Sequence, residues 1–181
     1  MKRTRIPGGS RRYSMLIRTE IGIDAASIDA LLRRSFPTSA EAELVRQLRE
    51  GGLLTLGVVA TDDEGQVLGY AAFSPVTLNG EDRQWVGLAP LAVDESVRKQ
   101  GLGSRLIYEG LDTLNEFGYA AVVVLGDSAY YGRCGFKTAA HCQLHCRREG
   151  TEQAFQVYKL ADDVCNGIAG NIEYSAPFNR L

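Results

Sequence analysis

The sequence lacks a long hydrophobic run. No uninterrupted apolar segment of its 181 residues approaches the ~20 residues that a helix needs to span a bilayer. The apolar stretch that begins at Met15 ends at Arg18, which does not fit a secretory signal peptide. We therefore expect a soluble, cytoplasmic protein with no membrane partner.

A strong charge of either sign is also lacking. The formal net charge is −2, whereas general nucleic-acid-binding proteins usually have a basic face and a basic overall balance. The uneven part is residues 1–14, which contain five basic residues and no acid, together with Pro7, Gly8 and Gly9. This composition predicts a disordered basic arm over residues 1–14 and one folded domain over residues 15–181. A nucleic-acid-binding arm is the less favoured alternative.

Cysteine and histidine are scarce. The chain has two histidines and four cysteines, which are Cys134, Cys142, Cys146 and Cys165. Residues 141–146 combine both types, but on a strand the candidate ligands four residues apart would be separated by ~13 Å, too far for one ion. In a cytoplasmic protein, thiols are favoured over disulfides. We predict four thiols and no metal.

What the sequence does contain is an alternation of strand-like and helix-like patterns. These predict one α/β (α+β) domain with helices on both faces of a mixed sheet. The predicted strands are 16–23, 53–61, 66–74, 85–93, 121–125, 137–147 and 154–160. Helices are predicted after Asp24, after Thr38, over 101–117 and around Tyr130 and Tyr131. Thr38 and Glu41 have the spacing of a capping box for the second helix.

The fourth predicted strand contains Pro90. Proline cannot donate a hydrogen bond to a neighbouring strand, so it is usually found at a bulge or an unpaired edge. We expect the ladder to be interrupted there.

The pattern Arg98-x-x-Gly101-x-Gly103 follows that strand and begins the third helix. A helix start offers unpaired N–H groups and a partial positive charge to an anion, and glycine lets the anion approach closely. A dinucleotide fingerprint would need a third glycine where Leu106 stands, and a P-loop would need Gly-Lys-Ser/Thr. A pyrophosphate-binding turn of another kind remains. The alternative is that the glycines only permit close packing.

This pattern resembles the acyl-CoA motif of the GNAT superfamily of N-acetyltransferases. The resemblance extends over about 16–160 and includes the triplet Leu91-Ala92-Val93, Gly118-Tyr119 after the helix, and residues 131–136. Residues 88–95, 115–127 and 160–170 are similar to the YhbS-type bacterial branch. The resemblance implies a single GNAT-like domain with a mixed, mostly antiparallel central sheet that splits between the fourth and fifth strands.

The resemblance also implies a cofactor and site residues. Acetyl-CoA would be the co-substrate, and its pantetheine arm would pair with the backbone at Leu91, Ala92 and Val93. Its pyrophosphate would lie on the amides of Lys99, Gln100, Gly101, Leu102, Gly103 and Ser104, with Arg98 as a cation. Tyr131 matches the family's general acid, whereas Tyr130, about 100° away around the short helix, is expected to pack.

The acceptor and the general base stay open. The fourth strand contains no acid, Asp127 is expected to cap the short helix, and Glu81 and Asp82 are predicted to lie in a loop near the acceptor site. The first hypothesis is direct acetyl transfer to an unknown amine, from a small molecule or a protein, in a ternary complex. The second is a non-catalytic acyl-CoA-binding sensor or docking module. Either would act as a monomer or homodimer, without nucleic acid.

Overall fold

The structure is a computed structural model that describes residues 2–5, 14–146 and 154–180. Its strands are β1 (Lys2–Arg5), β2 (Ser14–Thr19), β3 (Leu56–Thr61), β4 (Val67–Leu78), β5 (Glu81–Val93), β6 (Ala121–Leu125), β7 (Lys137–Thr138), β8 (Leu144–Cys146), β9 (Phe155–Lys159) and β10 (Gly170–Tyr174). Its α-helices are α1 (Ala25–Ser35), α2 (Ala40–Glu50), α3 (Leu102–Glu116) and α4 (Ser128–Arg133). Short 3-10 helices lie at Gly22–Asp24, Glu95–Val97, Ala139–Cys142 and Ala176–Arg180.

The strands form one sheet in the order β1-β2-β3-β4-β5-β6-β9-β7, and β10 pairs with β4 and β8. Neighbouring strands are antiparallel except in the β5–β6 and β8–β10 pairs, which are parallel. The predicted fold class, a mixed and mostly antiparallel sheet in a single domain, is confirmed.

The split between the fourth and fifth predicted strands is also confirmed, and it lies between β5 and β6. These strands pair only at Trp85↔Ala121, Val86↔Val122 and Gly87↔Val123. Beyond Gly87, β5 continues to Val93 along β4 alone. The second half of β5 therefore has one unpaired edge.

The interruption predicted at Pro90 lies at the same point. Ala71 pairs with Leu91 and Phe73 with Leu88, so one residue of β4 faces two residues of β5. This is the two-against-one arrangement of a β-bulge, and a proline fits it because it has no N–H to leave unpaired. The bulge changes the direction of β5 where the gap to β6 opens.

Helices cover both faces of the sheet, as predicted. α3 packs on one face through Leu102, Leu106 and other buried leucines. Gly110 of this helix has no room for a side chain, because a Cβ atom there would overlap the Phe73 ring. α1 and α2 pack on the opposite face, where Tyr70 and Ala72 of β4 contact their apolar residues. Because β4 is covered on both faces, its sequence is an almost continuous apolar run.

Two sequence-based predictions about the chain path were wrong. Lys2–Arg5, within the predicted disordered arm, forms a strand paired antiparallel with β2, whereas residues 6–13 lie outside the described residues. The predicted strand 137–147 is broken by the 3-10 helix Ala139–Cys142, after which Gln143 has a φ of 57°. This turn separates β7 from β8.

The prediction of four thiols was also wrong, because Cys142 and Cys165 form a disulfide. The 3-10 helix turns Cys142 out of the strand register on which that prediction depended, and brings its Cα within 5.5 Å of the Cys165 Cα. Cys134 is a buried thiol, as predicted.

Candidate active site

The turn between β5 and α3 is built to present backbone amides. Val97 is fully buried and anchors the turn in the core. Lys99 and Gly101 then have positive φ values of 61° and 81°, and Gly101 is the N-cap of α3. The first hydrogen bond of the helix joins the Arg105 N–H to the Gly101 carbonyl at 3.2 Å. The amides of residues 101–104 therefore precede the helical ladder and can bind an anion.

Arg98 lies beside this turn. Its Nε donates to the Val93 carbonyl oxygen at 2.9 Å, and the side chain is exposed. The hydrogen bond holds the guanidinium at the end of β5, next to the amides of the turn. This places the predicted cation where it can contact the same anion.

Gly103 has a reason for its small size that the sequence did not indicate. A Cβ atom there would overlap the Tyr130 hydroxyl, and it would lie 3.7 Å from Cγ2 of Val93. The same hydroxyl shares a hydrogen bond with Ser104, although burial raises the pKa of Tyr130 overall. Tyr130 thus contacts the start of α3 rather than only packing, and helical phase alone could not have revealed this contact.

The gap between β5 and β6 exposes alternate backbone groups of β5. The Asp94 N–H donates to the Leu68 carbonyl of β4 at 2.8 Å. Since hydrogen-bonding direction alternates along a strand, Ala92 also points its N–H and C=O to β4, whereas Leu91 and Val93 point theirs to the gap. The side chain of Ala92 is buried against α1 and α2. Leu91 and Val93 therefore suit the predicted pairing with an extended ligand, and Ala92 does not.

Tyr131 lies at the other side of this gap, on α4. Asp127 caps that helix as predicted, because its Oδ1 accepts from the Ala129 N–H at 2.8 Å. The Tyr131 ring packs against Gly126 and meets the Phe136 ring edge-on at 5.7 Å between centroids. Burial, with smaller contributions from Tyr130 and Cys134, raises the pKa of Tyr131 to about 12. The phenol thus keeps its proton at neutral pH.

Glu81 and Asp82 do not border this site, contrary to the sequence-based interpretation. They pair with Leu78 and Thr77 in the β4–β5 hairpin, at the far end of β5. Ten residues of strand at ~3.3 Å each put Glu81 roughly 30 Å from Leu91. Neither carboxylate can act as the base at the gap.

An ion pair that the sequence analysis missed connects the turn to α1. Arg34 Nε donates to Asp94 Oδ1 at 2.7 Å, and Asp94 Oδ2 accepts from the Ser96 N–H at 3.1 Å. These hydrogen bonds hold the pKa of Asp94 below its usual range, against the effect of its burial. A cleft of about 410 Å³ lies beside the pair and is lined by Arg34, Ser35, Asp94, Glu95 and Ser96. The Asp94-x-Ser96 spacing was the only signal in the sequence.

Two further observations concern other kinds of site. Within residues 2–5, 14–146 and 154–180, no cluster of three or more His, Cys, Asp or Glu side chains could hold a metal ion. In the same part of the chain, no helix has the length and apolar character needed to cross a membrane.

The sequence profile of the acetyltransferase (GNAT) family matches residues 25–136. This match covers more than half of the chain, including β5, the turn and α4. The chain belongs to the GNAT family of acetyltransferases. The turn at Gly101 and the gap beside β5 are therefore features of a GNAT domain.

Individual relatives of this GNAT domain agree. YhbS of Escherichia coli K12, described as an uncharacterized N-acetyltransferase, is 69% identical over 167 residues, which are 92% of this chain and 100% of that protein. The crystal structure of E. coli YhbS in complex with CoA has a TM-score of 0.92 and 64% identity over 97% of each chain. A Brucella melitensis GNAT acetyltransferase in complex with acetyl-CoA has a TM-score of 0.74 and 37% identity, over 91% of this chain and 97% of that one.

Proposed function

We propose that this chain transfers the acetyl group of acetyl-CoA to the amino group of an acceptor by direct attack in a ternary complex. The observation that carries the proposal is the unpaired edge of β5, which leads directly to the amides at the start of α3. The similar E. coli and Brucella proteins, crystallised with CoA and with acetyl-CoA, support the choice of ligand.

The binding roles follow from the groups at the gap. The pyrophosphate of acetyl-CoA would be held by the amides of residues 99–104 and by the Arg98 guanidinium. The backbone groups of Leu91 and Val93 would pair with the amides of the extended arm, as they would with another strand. Acetyl-CoA itself supplies the acetyl thioester.

The chemical roles are divided between β5 and α4. An N–H of β5 at the gap would polarise the thioester carbonyl by donating a hydrogen bond to its oxygen. Tyr131, protonated at neutral pH, would donate a hydrogen bond to the sulfur as the thiolate leaves. The acceptor amine must be neutral to attack, and neutralising an alkylamine of pKa ~10.4 at pH 7 costs ~4.6 kcal/mol. The surroundings of the acceptor therefore influence the rate.

The experiment is amine-dependent release of free CoA from acetyl-CoA, measured for the purified protein over a panel of amines. Release with at least one amine, together with detection of the acetylated amine by mass spectrometry, would support the proposal. Binding of acetyl-CoA without transfer to any amine in the panel would contradict it and favour the non-catalytic binding module.

A further inference from the structure

The first turn of α2 carries a carboxylate that the fold does not use. The capping box predicted from Thr38 and Glu41 does not form, because Ser39 is the N-cap and makes no side-chain cap bond. Glu41 lies on the same side of the helix as Leu44, Val45 and Leu48, which are all buried. Its Oε2 is itself buried and has no hydrogen-bond partner among the described residues.

The arginines of α1 and α2 do not neutralise this carboxylate, because each is paired with another acid. Arg33 contacts Asp29 and Glu43, Arg34 contacts Asp94, Arg46 contacts Glu43 and Glu50, and Arg49 contacts Glu20. A buried carboxylate oxygen without a donor costs free energy, since it has lost its contact with water. Glu41 thus offers an unsatisfied acceptor to a group from outside the chain.

The position of Glu41 relates it to the gap beside β5. The Arg34–Asp94 contact of 2.7 Å places the end of α1 at the end of β5. The connection to α2 is only residues 36–39, so the first turn of α2 starts at the same place. One turn later, Leu44 belongs to an apolar cluster that also contacts Ala89, at the bulge of β5. Glu41 therefore lies on the face of the sheet opposite α3, close to the half of β5 that leaves β6.

We propose that Glu41 binds the protonated amino group of the acceptor and selects alkylamines that carry a positive charge in solution. This inference rests on the proposed function, since it assigns the acceptor side of the same site. An ammonium N–H would donate to Oε2, and a charge-assisted hydrogen bond of this kind is stronger than a neutral one. The apolar neighbours Leu44, Phe178 and Leu54 favour an alkyl chain next to the charge.

A binding experiment tests this without turnover. CoA-loaded protein is titrated with butylammonium and with butan-1-ol, its neutral analogue, by NMR. We expect the parent to bind the cation about 10-fold or more tightly than the alcohol. Glu41→Gln, which keeps the shape and removes the charge, should abolish that preference. Glu43→Gln, two residues away in an exposed ion pair, is the matched control and should keep it.

A second variant guards against a folding defect. Glu41→Asp keeps the charge on a shorter side chain and should retain a preference for the cation with weaker binding. The proposal is overturned if the parent shows no preference for butylammonium, or if Glu41→Gln keeps it. In turnover, Glu41→Gln should raise the KM for butylamine and leave the KM for acetyl-CoA unchanged. Glu41-dependent binding of the cation without transfer to any amine would instead reject the proposed function.

Discussion

Replacing Tyr131 by phenylalanine should slow acetyl transfer and leave the affinity for CoA unchanged. The pKa of Tyr131 is about 12, whereas an unperturbed thiol has a pKa of ~8.5. Complete proton transfer to the departing thiolate would therefore be uphill by ~3.5 units, or ~4.8 kcal/mol. A hydrogen bond from the phenol to the developing negative charge is the more favourable role, and it contributes ~1.5–3 kcal/mol. The expected loss in rate is ~10-fold to ~150-fold.

The assay is single-turnover acetyl transfer, with CoA affinity measured separately by calorimetry. Tyr130→Phe is the matched control: because the Tyr130 hydroxyl contacts the start of α3, it should change CoA affinity more than the rate. The pH dependence gives a second test. Because burial raises the pKa of Tyr131 from 10.0 to about 12, the Tyr131-dependent part of the rate should stay constant up to pH ~10 and fall only as pH rises towards 12. An unchanged rate in Tyr131→Phe, or a fall centred near pH 10, would refute this reasoning.

Three other substitutions test the turn and the packing. Gly101→Val forces a branched residue into the left-handed region at φ 81°, a strain of ~1–2 kcal/mol, and calorimetry should show CoA binding weakened ~5-fold or more; Gly65→Val, at the same φ in the β3–β4 hairpin, should leave affinity unchanged. Arg34→Gln should weaken CoA binding ~3-fold or more by releasing the turn from α1, whereas Arg33→Gln, which breaks only exposed pairs, should not; equal effects would contradict this. Gly110→Ala should lower the free energy of unfolding in urea by ~1–3 kcal/mol, because its Cβ overlaps the β4 phenylalanine ring, and an unchanged midpoint would contradict the packing.

The sequence was sufficient for the parts of the site that depend on local backbone chemistry. A proline in an apolar strand predicted the bulge of β5, because proline lacks a donor wherever it occurs. Two glycines at a strand-to-helix junction predicted amides available to an anion, because helix starts leave such groups unpaired in every fold. Both features require information from only a few neighbouring residues.

The parts that failed depend on residues far apart in the chain. Tyr130 reaches Gly103 across 27 positions, and Arg34 reaches Asp94 across 60. The Cys142–Cys165 pair required a turn at residues 139–143 that strand alternation did not indicate. The unused carboxylate of Glu41 is visible only once the partners of the nearby arginines are known. Periodicity describes which face of an element is buried but not which side chains meet there.

The one-sided pairing of β5 beyond Gly87 has a consequence for hydrogen exchange. The amide of Ala92 points to β4, whereas the amides of Leu91 and Val93 point to the gap, so adjacent residues of one strand differ in protection from solvent deuterium. A ligand that pairs with the free edge would slow exchange at Leu91 and Val93 and leave Ala92 nearly unchanged. Exchange at three consecutive amides would thus report whether the gap is filled, independently of any catalytic turnover.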